Sequence, residues 1–220
     1  MNNLDGILSL LIACIELVLL INLLIFADKN KENVLVFLII FLLTGYQAFE
    51  FLICGPVLKS SFMAYLAFAD ISFLPPLSFI LVFSFLKIKN KTSILIFLPA
   101  IFFVMYYSSV INQFAVVKCT VLYAAYNYPL GTVYGFFYYL PILASFLLLY
   151  SNLKKNNHKQ TKILLSGYYF IVIPLVASFI LFLLNLPGLL NVIESILCKF
   201  AFGFAVALSF FALNNRHLNE

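Results

Sequence analysis

The chain reads as an all-α membrane protein: one domain, a bundle of seven transmembrane helices, N-terminus outside and C-terminus in the cytoplasm. Three observations predict this. Of 220 residues, 65% are hydrophobic and only 10% charged, with a mean hydropathy of +1.10; a soluble domain carries about 25% charged residues. The apolar residues fall into seven runs, each near the roughly 20 residues that a helix needs to cross a hydrocarbon core of about 30 Å. Ten of the 13 Lys and Arg residues then lie in alternate gaps between those runs.

The first run, Gly6–Phe26, follows a short leader (Met1–Asp5) that carries an acid and no Lys or Arg. It is too long for a signal-peptide core and no small-residue cleavage site follows it, so it is expected to stay as a helix. The second run is Val34–Cys54. The third, Ser61–Leu86, is overlong and holds Pro75-Pro76, so it should tilt or bend. The fourth is Ser93–Ile111, with Pro99. The fifth, Gly131–Tyr150, contains Pro141, the sixth, Ile163–Leu184, contains Pro174, and the seventh is Val192–Leu213. These runs are helices because lipid-facing backbone must satisfy itself, and barrel strands would be shorter and would alternate polar with apolar. The longest gap, Asn112–Leu130, includes the β-branched stretch Val116–Tyr123, which reads either as a short hairpin or lid or as an ordinary interfacial loop.

Orientation follows from the cations. Lys29 and Lys31 occupy the first gap, Lys87, Lys89 and Lys91 the third, Lys154, Lys155, Lys159 and Lys162 the fifth, and Arg216 the tail. The other side has only Lys59 and Lys118, and Lys199 lies inside the last run. The lysine-rich side is therefore cytoplasmic. The net charge of +5 is accounted for by topology and gives no reason to expect nucleic acid as a partner. The expected partner is the lipid bilayer of a bacterial inner (plasma) membrane. Any signal would leave through a separate cytoplasmic or membrane partner, because the loops and the tail from Asn214 are too short to fold.

Eight tyrosines crowd the outer ends: Tyr106, Tyr107, Tyr123, Tyr126, Tyr128, Tyr134, Tyr138 and Tyr139. They read as an aromatic belt at headgroup level, with an aromatic vestibule as the alternative.

Charged side chains inside a span point most directly to function, since each costs about 2.5–3.5 kcal/mol at midplane on insertion scales. There are five: Glu16, Glu50, Asp70, Glu194 and Lys199. Glu16 falls near mid-membrane, Glu50 and Glu194 near the outer surface, and Asp70 and Lys199 about a third of the way in. Lys199 needs a carboxylate, and depth favours Asp70 first and Glu16 second. Gln47 shares a helix face with Glu50, and Ser195 shares one with Lys199. Helices one, two, three and seven would then enclose a polar cavity open to the outside.

A retinal protein is the specific reading that this lysine invites, but Ser195 stands one turn before it where a second acid is wanted, and the chain has no Trp. His158 and His217 lie in cytoplasmic segments, so no metal is expected, and no nucleotide or nucleophile motif implies a cofactor or an enzyme. Cys14 and Cys198 read as small core residues, while Cys54 and Cys119 both face outward and are a possible disulfide.

Several short segments resemble a family of uncharacterised bacterial multi-pass membrane proteins: Gly45–Glu50 with its Gln-x-x-Glu, Pro76–Phe79, Tyr128-Pro129 followed by Phe137–Pro141, and Ser195–Ala201. The chain is more distantly similar to the seven-helix N-terminal sensor region of some histidine kinases. These resemblances imply Gln47, Glu50, Ser195 and Cys198 as residues of interest and supply no ligand. The expected function is that of a receptor-like or sensory protein binding a small ligand or lipid in the outer-half cavity. The alternative is a small-solute or proton-coupled transporter or channel using the carboxylates.

Overall fold

The computed structural model describes residues 6–54, 60–88, 91–119, 124–155, 158–184 and 187–215; within these, the side chains of 91–93, 115–118, 124–126, 182, 187–192, 194, 195 and 198 are not described. Helices α1 (Ile7–Phe26) and α2 (Lys31–Cys54) pack as an antiparallel pair. Their approach at one end requires glycine: Gly6 has φ +77°, and a Cβ there would lie 3.1 Å from Cβ of Cys54. α1 has the inverse of a soluble helix's polarity. Ser9, Ile12, Glu16, Leu20 and Leu23 are buried, while Leu11, Val18 and Leu24 are more than half exposed. Asn30 starts α2 by accepting the Asn33 amide at 2.8 Å.

The third span divides into α3 (Ser61–Ser72) and α4 (Leu74–Phe85), broken at Phe73 just before Pro75-Pro76. These prolines have no N–H to continue the α3 ladder. Ser72 and Ser78 turn their hydroxyls onto the backbone beside the break, donating to the carbonyls of Phe68 at 2.7 Å and Pro75 at 2.8 Å. The fourth span opens as a 3₁₀ segment, Lys91–Phe97, before α5 (Leu98–Ser109). The long gap after it is a hairpin of β1 (Ala115–Cys119) and β2 (Ala124–Asn127), paired antiparallel with an irregularity between Val116 and Lys118. Helices α6 (Gly131–Lys155), α7 (Lys159–Leu183) and α8 (Pro187–Asn214) complete the bundle. Pro141 and Pro174 sit inside α6 and α7, and Ser145 and Ser178 donate to their carbonyls one turn on.

Of these elements, five helical stretches are long and apolar enough to cross a membrane: Ile7–Phe26, Lys31–Cys54, Ser61–Phe85, Gly131–Lys155 and Lys159–Leu181. Ile94–Ser109 and Lys199–Asn214 are shorter apolar stretches. Large apolar side chains line the outside, as Phe102 (61%), Ile173 (64%) and Phe179 (60%) illustrate. The chain is a helical multi-pass membrane bundle, since lipid is the solvent in which that surface costs nothing.

Cross-links between helices define two ends. At one, Asn33 Nδ2 donates to the Ala212 carbonyl at 3.3 Å, Ser84 Oγ to Glu32 Oε1 at 2.6 Å and Gln160 Nε2 to the Asn214 carbonyl at 2.6 Å. These bonds gather the start of α2, the end of α4, the start of α7 and the end of α8. Lys29, Lys31, Lys87, Lys159 and Lys162 belong to that end by their places in these elements. The opposite end holds Gly6, Cys54 and the hairpin. Between the ends, the apolar core joins α2, α4, α6, α7 and α8 through residues such as Ile40, Leu81, Leu149 and Leu208.

Candidate functional site

Three helices deliver polar side chains to one buried point near the hairpin end. Lys199 of α8 forms an ion pair with Glu50 Oε2 of α2 at 2.6 Å. Its ammonium also donates to Gln47 Oε1 and to Ser9 Oγ of α1, each at 2.7 Å. An ammonium has three protons, and all three are used. Glu50, Gln47 and Ser9 are at most 1% exposed and the Lys199 side chain only 9%, so this is a buried pair in which three groups satisfy the ammonium.

Secondary structure explains how they meet. Gln47 and Glu50 are three residues apart on α2 and share a face. α8 runs from the hairpin end toward the lysine-rich end, so its side chains lean back toward the hairpin. Lys199 thereby reaches up to residues nearer the bundle's end than its own backbone. That lean is why Glu50, and not the residue at equal depth, receives it. The expected Asp70–Lys199 pair is absent. Asp70 sits on α3 against Gly45 of α2, where a Cβ would lie 3.2 Å from its Oδ1. Gly45 is two residues from Gln47, about 200° around the helix at 3.6 residues per turn, so the body of α2 stands between Asp70 and the cluster.

Helices α1, α2 and α8 supply the cluster, and the third span contributes none of its four members. A groove lies on the outer seam of α7 and α8. It has a volume of about 470 Å³ and is bordered by Phe170, Phe200, Gly203, Ala207 and Phe210, with Lys199 the one member of the cluster that reaches it.

Glu16 is fully buried, and neither of its carboxyl oxygens has a hydrogen-bond partner. It lies on the same face of α1 as Ser9, within electrostatic reach of Lys199. Oδ2 of Asp70 is likewise unpartnered. Glu194 and Ser195 lie on α8 by backbone, but their side chains and that of Cys198 fall outside the described ones. Cys14 is exposed on the lipid-facing side of α1 and is not the core residue its setting suggested. Ser9 is the member of the cluster that the sequence reading passed over. Its spacing of seven from Glu16, two helical turns on one face, was the available signal.

Cys54 and Cys119 are joined by a disulfide with Cα atoms 5.5 Å apart. It ties the hairpin to the end of α2, beside the cluster. The tyrosines expected to form a belt divide differently. Tyr107 and Tyr134 are buried in an aromatic core with Phe68, Phe103 and Phe114, between α3, α5 and α6. Ring centroids there are 4.5 Å apart for Phe68–Tyr107 and 4.4 Å for Phe68–Tyr134, at the close end of the separations at which aromatic pairs attract. Their hydroxyls are used: Tyr107 donates to the Pro129 carbonyl at 2.6 Å, and Tyr134 and Ser72 share a bond of 3.0 Å. Tyr106, Tyr128 and Tyr138 are half-buried around this core, Tyr139 is half-buried against the main apolar core, and the side chains of Tyr123 and Tyr126 lie outside the described ones.

Among the described residues, no three His, Cys, Asp or Glu side chains come together as a metal site. No protein-family model, curated protein or solved structure matches this chain.

Proposed function

We propose that this chain is a receptor-like protein of the plasma membrane, crossing it seven times with the hairpin end outside, and that it binds a small ligand or lipid at the Ser9–Gln47–Glu50–Lys199 cluster. The lysine-rich gaps support the orientation through the positive-inside rule. The observation that carries the function is the cluster itself. A buried ion pair is weak evidence for stability, because an apolar trio of the same volume would hold three helices as well or better. Retaining it at 2.6 Å in a buried site points to a role in recognition or switching. The groove between α7 and α8 that ends at Lys199 offers a ligand a lateral route from the bilayer. A ligand that takes the ammonium away from Glu50 loosens α8 from α1 and α2, and that movement is the signal passed to a partner.

The test is a thermal-shift screen in nanodiscs with pooled lipids, fatty acids and small zwitterions. A stabilising ligand whose effect disappears in Lys199→Met supports the reading. Equal stabilisation of parent and variant, or none in any pool, overturns it. A second reading, a proton-coupled transporter, is favoured by one observation, the unpartnered Glu16 carboxyl in the middle of α1. Flux driven by a pH gradient across proteoliposomes and lost in Glu16→Gln decides for it.

A further inference from the structure

Glu16 is the one carboxyl on α1 whose two oxygens are both buried and unpartnered, and its surroundings are specific. The contact of Gly6 with Cys54 sets the α1–α2 register. Counting down the antiparallel pair from that contact, Glu16 is level with Thr44. At 1.5 Å per residue, Gln47 and Glu50 then lie about 4.5 and 9 Å nearer the hairpin end. Side chains on α1 lean toward its N-terminus, which is that same end, so the Glu16 carboxyl points up at the cluster from beneath. The helices packed on α1 are α2 and α8. Charged groups facing Glu16 from them are Glu50 and Lys199; Asp70 is on the far side of α2, and the Glu194 side chain is outside the described ones. The Thr44 hydroxyl is turned away onto the Ile40 carbonyl at 2.8 Å.

Two carboxyls thus flank one ammonium, which touches only the upper one. An anionic Glu16 without a donor in this setting would be an uncompensated buried charge, whereas the neutral acid carries none.

We propose that Glu16 is a proton-binding site, held as the neutral acid while Lys199 pairs with Glu50 and ionised when the ammonium turns to Glu16 instead. In the exchange, the O–H bond of the Glu16 carboxyl breaks and an O–H bond forms on the Glu50 carboxyl. The ammonium keeps its three protons and total charge is unchanged. The net result is one proton transferred from the Glu16 carboxyl to the Glu50 carboxyl, whose backbone lies nearer the hairpin end. This goes beyond the ligand-binding reading and does not depend on it: a failed ligand screen leaves the exchange untouched, and the reverse also holds.

Infrared difference spectroscopy of the whole protein in nanodiscs, with Glu carboxyls labelled by carbon-13, tests the proposal. Parent protein is expected to show the carbonyl stretch of an isolated, non-hydrogen-bonded carboxylic acid, shifted by the label and absent in Glu16→Gln. Asp70→Asn should keep that band. In Glu50→Gln, Lys199 has no carboxylate but Glu16, so the band should vanish although Glu16 is present. A parent spectrum without the band, a band that survives Glu16→Gln, or one that survives Glu50→Gln each overturns the proposal. The last result separates proton exchange from a carboxyl that is merely buried.

Discussion

Replacing Lys199 by Met removes the ammonium but keeps the length of the side chain. Glu50, 1% exposed, is then a buried carboxylate without its cation, and Gln47 and Ser9 lose a donor that stood 2.7 Å from each. Breaking a buried pair from one side costs about 3–5 kcal/mol, whereas an ordinary inter-helix hydrogen bond in a membrane protein averages about 0.6 kcal/mol. The single change should therefore stand clear of the usual noise. Glu50→Gln should cost less, because Glu16 is in place to receive the ammonium. The double change removes both charges and leaves an uncharged set of two amides and a hydroxyl that can hydrogen-bond among themselves, so much of the loss should return; the cycle should give a coupling of about 2–3 kcal/mol, at the upper end for contacting residues. Equilibrium unfolding in mixed micelles, with each variant first checked for retention of the monodisperse peak, measures all four corners. A cost under about 1 kcal/mol for Lys199→Met, or two changes that add within about 0.5 kcal/mol as independent sites do, would refute a buried, coupled Lys199–Glu50 pair. Asp70→Asn paired with Lys199→Met is the control and should be additive.

Three further outcomes follow from the packing. Changing Cys54 and Cys119 to Ala opens a link spanning 65 residues, for which loop entropy gives about 4 kcal/mol as an upper value; reductant titration with thermal denaturation should show the loss in the parent and none in the double variant. Gly167→Ala should destabilise by about 1–3 kcal/mol through overpacking, because the new methyl would lie 2.9 Å from Cβ of Ala207. Gly203→Ala meets the Phe170 ring at 2.6 Å, but that ring is 47% exposed and can swing aside, so equal or greater damage there would contradict the packing argument. Tyr107→Phe leaves the Pro129 carbonyl without its 2.6 Å donor and should cost about 1–3 kcal/mol, read as a lowered midpoint with the aromatic near-ultraviolet signal retained.

The membrane class and the helix positions were legible in the residues because both depend on local quantities. Apolar run length sets a span whatever it packs against, and α1, α2, α6 and α7 lie within a few residues of the expected ranges. Pro75-Pro76 announced the break at Phe73 for the same reason: a missing N–H acts on its own helix. The β-branched stretch after Asn112 allowed a hairpin or a loop, and pairing between β1 and β2 decided for the hairpin. Tertiary structure alone decided who meets whom. Depth counting ranked Asp70 first for Lys199, but depth ignores azimuth: Asp70 faces Gly45 across the wrong side of α2, while the lean of α8 side chains carries Lys199 to Glu50, Gln47 and Ser9. The tyrosines likewise share a level that suits a belt, and only the meeting of α3, α5 and α6 turns Tyr107 and Tyr134 inward. A sequence specifies how far along a helix a side chain lies; which neighbour it faces depends on how the helices are rotated against one another.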